Sequence, residues 1–97
     1  NPITCGAAAR LDAQGTPVVP DILANAGGVT VSYFEWAQNV QRYAWSEQRV
    51  NDELTARLQT AWIAVTEQAK RNRQSYRSAA YAIAVDRVRL AMDLRGF

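Results

Sequence analysis

Histidine is absent from this 97-residue chain, cysteine occurs once and proline three times. With no histidine and a lone Cys5, the chain holds no ligand cluster for zinc and no pair for an internal disulfide. No apolar run approaches the roughly 20 residues that a membrane-spanning helix needs, and the N-terminus lacks the basic-then-apolar plan of a signal peptide. The expectation is a soluble, unexported chain in a reducing, cytoplasmic setting, with no bound metal and no membrane partner. A start at Asn1-Pro2 without an initiator Met makes a fragment of something longer the natural reading.

Charge of one sign is scarce too, for the net is only +2. Up to Trp45 the chain carries −1, from Arg10 and Arg42 against Asp12, Asp21 and Glu35, and the remainder carries +3. The densest basic stretch is KRNRQSYR, residues 70–77. Such a stretch can bind nucleic acid, but phosphate binding wants a broader basic face. A short cluster between two predicted helices reads as a solvated turn that complements the negative end of the preceding helix, so no nucleic-acid partner is expected.

What is present is 48% apolar residues, enough for one small domain. In TCGAAARLDAQG, Thr4 can cap a short helix and Gly15 can end it. TPVVPD then sets Val18 and Val19 between two prolines, a short β-type run best placed at the edge of a sheet supplied from elsewhere. After Gly27-Gly28, Val29, Tyr33, Trp36 and Val40 recur at helical spacing while Val31 and Phe34 make the other side apolar, which predicts a helix buried on most sides. Ser46 caps a long amphipathic helix with the stripe Val50, Leu54, Leu58, Ala61, Val65 and Ala69. A last helix runs from about Ser78, with Ala80, Ile83, Ala84, Val88, Ala91 and Met92 on its inner side and Gly96 past its end.

The segment DILANAGGVTVSYFEW, residues 21–36, therefore sits between a predicted strand end and a helix whose first turn follows the glycines. Ligands bind at such places in α/β proteins. Free N–H groups at a helix start attract oxygens, and glycines let a ligand reach the backbone. Asn25 offers a donor and an acceptor, and Ser32 brings a hydroxyl to an otherwise apolar helix. The same residues also admit structural readings: a glycine pair before a helix more often makes a tight turn, and a buried serine is often satisfied by its own helix.

PDILANAGGVTVSYFEWAQN resembles the signature near the C-terminal end of the glutamate dehydrogenases. The resemblance extends upstream to NPIT and downstream through YAWSEQRVN and SYRSAAYAIAVDRV, so it covers essentially the whole chain. Leucine, phenylalanine and valine dehydrogenases share the Asn-Ala-Gly-Gly-Val core but lack the Val-Ser-Tyr-Phe-Glu-Trp that follows. The resemblance implies reversible oxidative deamination of L-glutamate to 2-oxoglutarate and ammonia, with NAD or NADP as cofactor. It places Asn25, Gly27 and Gly28 at the cofactor, and Val29 and Ser32 at the substrate, where Ser32 donates its hydroxyl to the side-chain carboxylate. Asn1 falls near a cofactor-contacting asparagine of the family.

The family's proton-transferring Lys and Asp and its glycine-rich dinucleotide fingerprint lie upstream of these residues, so no catalytic residue is named here. Glu35 and Asp21 have structural jobs. The implied parent is α/β, a Rossmann-type nucleotide-binding domain. Residues 1–97 would be the C-terminal part of that domain, mostly α-helical with one short strand, with the terminal helices (about 46–95) packing back toward the substrate domain. The parent would be a homohexamer, and the chain alone is expected to self-associate and to be inactive. The alternative is a non-enzymatic helical interaction module or a basic nucleic-acid-binding module.

Overall fold

Thr4 stands just ahead of an alanine-rich run, and its hydroxyl accepts the Ala7 N–H at 3.2 Å, satisfying one of the amides that a helix start leaves unpartnered. From that cap α1 spans Cys5–Ala13. It stops where the backbone turns left-handed at Gly15, φ 69°, a conformation that glycine adopts without a Cβ clash. There the Gly15 N–H donates to Asp12 O and the Thr16 N–H to Leu11 O, both at 3.0 Å, the paired bonds of a Schellman stop. The computed structural model describes residues 2–96. Asn1 and its expected cofactor contact lie outside the described residues.

Residues 16–20 run on without regular structure, and among the described residues there is no strand. The short strand expected at Val18 and Val19 is therefore corrected. An extended segment becomes a strand only when a neighbour completes its ladder, and Pro17 and Pro20 each lack an N–H to offer one. Helix α2 follows, Asp21–Ala24, with the Asp21 carboxylate accepting the Ile22 N–H at 2.9 Å.

Helix α3 spans Ala26–Gln41. Gly27 and Gly28 lie inside its first turn rather than ahead of it, and neither has a positive φ, so the pair forms no tight turn. Phe34 is the buried anchor of this helix, 1% exposed, while Val29 at 74% and Trp36 at 59% face outward with Tyr33 and Val40. The expectation of a helix buried on most sides fails for a simple reason: α2 and α4 are its only helical neighbours among the described residues. They cover one flank.

Helix α4, Glu47–Asn72, begins at Ser46, whose hydroxyl accepts the Arg49 N–H at 3.2 Å. Its predicted stripe turns inward as expected, half-buried at Val50, Leu54, Leu58 and Ala61 and buried at Val65 and Ala69. Lys70 and Arg71 occupy the last turn, complementing the negative helix end. Helix α5, Tyr76–Arg95, starts two residues earlier than the sequence predicts, because Ser75 is the cap and accepts the Ser78 N–H at 3.1 Å. Val65, Ala69, Ala79 and Ala80 form the core between α4 and α5, with Leu23, Tyr76 and Ile83 packed against it. Small alanines let these two helices approach closely, and the Trp62 and Tyr76 rings meet edge-on at 5.2 Å.

Beyond Ala84 every described residue of α5 is exposed. Val88, Ala91 and Met92, expected on an inner side, are thus covered by no other described element, and Leu94 is 80% exposed. The radius of gyration is 16.3 Å, against about 13 Å for a self-contained domain of this size. The surface, 7517 Å², likewise exceeds the roughly 5,500 Å² that such a mass presents when folded by itself. Large apolar side chains on helix faces, Val29, Val85 and Leu94 among them, stand in that surface.

Candidate functional site

Asn25 is both the last cap of α2 and the first cap of α3, in right-handed helical geometry (φ −84°, ψ −6°), and its side chain makes no capping bond. Its N–H donates to Asp21 O at 2.8 Å. The two helices therefore run almost continuously, and residues four and seven positions after Asn25 fall on its face. Those residues are Val29 and Ser32. All three are exposed, as is Gly28 beside them. Ser32 is thus no buried serine satisfied in a packed core; its hydroxyl faces outward.

The two glycines differ in surroundings. A Cβ at Gly27 would stand 4.0 Å from Leu58 Cδ1 of α4, whereas a Cβ at Gly28 would meet nothing within 4 Å. Gly27 thus faces α4, and Gly28 leaves the backbone open to an approaching molecule. Thr30 steadies this turn by donating from Oγ1 to Ala26 O at 2.8 Å. Four of the five predicted site residues, Asn25, Gly28, Val29 and Ser32, are brought to one outward strip, and Gly27 is turned away from it.

A cavity of about 440 Å³ lies to one side of that strip, and Asn25 lines it together with Val18, Pro20, Asp21, Tyr76 and Arg77. Val29 and Ser32 do not reach it. Asn25 therefore stands between two environments, the apolar cavity and the open strip. Glu35 is exposed, and the Asp21 carboxylate accepts the Ile22 N–H at the start of α2. Among the described residues no group of three His, Cys, Asp or Glu is placed to hold a metal ion, and no helix is long and apolar enough to cross a membrane.

A family model described as Glutamate/Leucine/Phenylalanine/Valine dehydrogenase matches residues 1–96. The chain belongs to that dehydrogenase family. It is 50% identical over 95 residues to a protein named NAD-specific glutamate dehydrogenase A from Halobacterium salinarum, covering 98% of this chain and 22% of that protein. It is 53% identical over 88 residues to NADP-specific glutamate dehydrogenase A1 of Halobacterium salinarum, covering 90% of this chain and 21% of that protein. The crystal structure of glutamate dehydrogenase from Peptoniphilus asaccharolyticus superposes with a TM-score of 0.91 at 38% identity, over 99% of this chain and 24% of that one. The chain thus spans under a quarter of the length of these relatives. Its open helix faces belong to an arrangement that recurs inside a much longer dehydrogenase chain.

Within this family member, the basic turn at residues 70–77 divides. Arg77 comes to the cavity wall, with Gln74 and Ser75, while Lys70, Arg71 and Arg73 are exposed. The reading of the whole stretch as a solvated turn missed that inward contribution. A helix–turn–helix joint carries no sequence signal for which of its residues faces a neighbouring segment. The three exposed cations form a patch too small for tight phosphate binding. Duplex DNA should bind the chain no more tightly than the roughly 10⁻⁴ to 10⁻⁶ M of non-specific association at physiological salt. Fluorescence anisotropy across a salt series checks this, and tight, steeply salt-dependent binding would contradict it.

Proposed function

We propose that this chain is the C-terminal part of an NAD- or NADP-dependent glutamate dehydrogenase, which interconverts L-glutamate, water and NAD(P)+ with 2-oxoglutarate, ammonia and NAD(P)H. The observation that carries the reading is the outward strip of Asn25, Gly28, Val29 and Ser32 in a chain about half identical to proteins named for that activity. The strip fits a cofactor, since Gly28 presents open backbone and the Asn25 amide is not spent on capping a helix. When bound, the nicotinamide supplies the acceptor for a hydride from the substrate.

This chain's own residues bind and orient. Asn25 holds the nicotinamide riboside end through its donor and acceptor. Gly27 and Gly28 shape the loop and helix start around it, Gly27 on the side toward α4 and Gly28 by leaving room for the cofactor. Val29 lines the apolar side of the substrate pocket. Ser32 donates its hydroxyl to the distal carboxylate of glutamate, which favours an acidic side chain over an apolar one. Proton transfer belongs to residues outside this chain.

The exposed apolar faces suit the same reading. A large bare face marks a contact surface, and the outer side of α3 and the distal half of α5 are bare here. In the whole enzyme the chain completes a Rossmann-type domain, the terminal helices turn back toward the substrate domain, and six copies assemble in the cytoplasm. The test is direct. The purified chain with L-glutamate and either nucleotide should produce no NADH or NADPH, while the longer protein containing it should. Glutamate-dependent reduction by the chain alone contradicts the division of labour, and a longer protein inert toward glutamate contradicts the assignment.

A further inference from the structure

At the far end of α3 the chain turns through Arg42, which takes the left-handed conformation at φ 53°. A non-glycine residue there needs support from its surroundings. Gln38 supplies it from within the helix. Its Nε2 donates to Phe34 O at 3.2 Å, and its Oε1 accepts the Trp45 N–H at 2.7 Å. The amide has only one orientation that serves both, because a carbonyl needs a donor and an N–H needs an acceptor. One half-buried side chain thus ties the last turns of α3 to the residue just ahead of the Ser46 cap of α4.

Apolar contacts gather at the same corner. The Phe34 and Trp45 rings lie 5.4 Å apart, and the Arg49 guanidinium stands 4.0 Å from the centre of the Trp45 ring. The Trp45 indole Nε1 is buried with no hydrogen-bond partner among the described residues, so it adds no polar tether of its own. Helix α3 is held on α4 by the buried Phe34 beside Arg57, and Gln38 closes the corner at its end. Ser32 lies two residues ahead of Phe34.

We infer that Gln38 is a positioning residue for Ser32: by fixing the α3–α4 corner it sets where the Ser32 hydroxyl points, without touching the substrate itself. The inference rests on the proposed role of Ser32. If the corner is released, Phe34 loses its hold on Trp45 and the disturbance fades along α3 from there. Ser32, about 3 Å along the helix from Phe34, then moves more than Asn25, about 13.5 Å away. Glutamate binding suffers and cofactor binding does not.

The experiment uses the glutamate dehydrogenase that contains this chain. Gln38→Met keeps the length of the side chain and removes both bonds. The expected result is a rise in KM for glutamate of about threefold to tenfold with the cofactor KM within about twofold of wild type. A destabilised corner with no positioning role lowers the melting temperature and leaves KM unchanged, and that outcome overturns the inference. So does an equal rise for glutamate and cofactor. In the Ser32→Ala background, Gln38→Met should add little to the glutamate KM, since residues acting through one another are not additive; full additivity overturns it. If Gln38→Met does not fold, Gln38→Glu keeps the acceptor for Trp45 N–H, loses the donor to Phe34, and carries the same comparison. Ser32→Ala by itself leaving glutamate kinetics unchanged removes the underlying reading, a result separate from any outcome at position 38.

Discussion

Phe34→Ala should lower the stability of the chain by about 3 to 5 kcal/mol, the largest loss expected of any single substitution in it. Phe34 is the one large side chain that is fully buried among the described residues. Its ring meets Trp45 at 5.4 Å and Tyr33 at 6.4 Å, and the Arg57 guanidinium of α4 stands 5.3 Å from its centre. Removing it leaves a cavity where α3 and the corner close on α4, and Trp45 and Tyr33 lose the ring they pack against. A domain of this length has about 5 to 15 kcal/mol in all, so the loss is a large share.

The damage should also be local. Val65, Ala69, Ala79 and Ala80 form a cluster that does not include Phe34, so the α4–α5 pair keeps its own contacts when α3 lets go. Hydrogen exchange followed residue by residue in the variant should show α3 amides losing protection while those around Ala69 and Ala79 retain it. A fall of less than about 1 kcal/mol in a urea titration, or uniform loss of protection across all five helices, would contradict this account.

The elements that sequence reading placed correctly are those whose causes are local. Thr4 and Ser46 cap helices because a hydroxyl in front of a helix start reaches an amide three residues on, whatever else is nearby. Gly15 ends α1 for an equally local reason. The α4 stripe from Val50 to Ala69 was legible because its partners, α2, α3 and α5, are within the chain. Ser75 and Ser78 were harder to tell apart. Both are serines near one helix start, and only the structure shows that Ser75 accepts from Ser78.

What was not legible depends on what meets each face in space. Apolar periodicity says that a face wants cover; it does not say what provides it. Val29, Trp36 and Val40 on α3 and Val88 and Met92 on α5 carry a sound helical pattern, yet they stand exposed because no other described element covers them. The strand expected at Val18 and Val19 failed for the same reason. The site divides likewise. Spacing alone puts Asn25, Val29 and Ser32 on one face, so that strip could be read in advance. Gln38 could not, since a glutamine in an amphipathic helix looks like any solvated position until Arg42 turns the chain and delivers the Trp45 N–H to it.

Ser32→Ala in the complete enzyme should lower kcat/KM for glutamate about tenfold to a hundredfold, since a hydrogen bond to a charged group is worth on the order of 1.5 to 3 kcal/mol. The structure makes this substitution a clean one. Ser32 is exposed within the chain, and alanine is at least as good a helix former as serine, so α3 should keep its conformation and the melting temperature should barely move. On the role proposed for Ser32, what is lost is a donor to the distal carboxylate of the substrate. A substrate with an apolar side chain never used that donor, so its kcat/KM should fall far less, or rise, and the preference for glutamate should narrow by nearly the whole effect. Steady-state kinetics on glutamate and on an apolar amino acid, run on both proteins, decides the matter. Equal losses on the two substrates, or a large drop in melting temperature, would mean that Ser32 serves packing in the assembled enzyme rather than recognition.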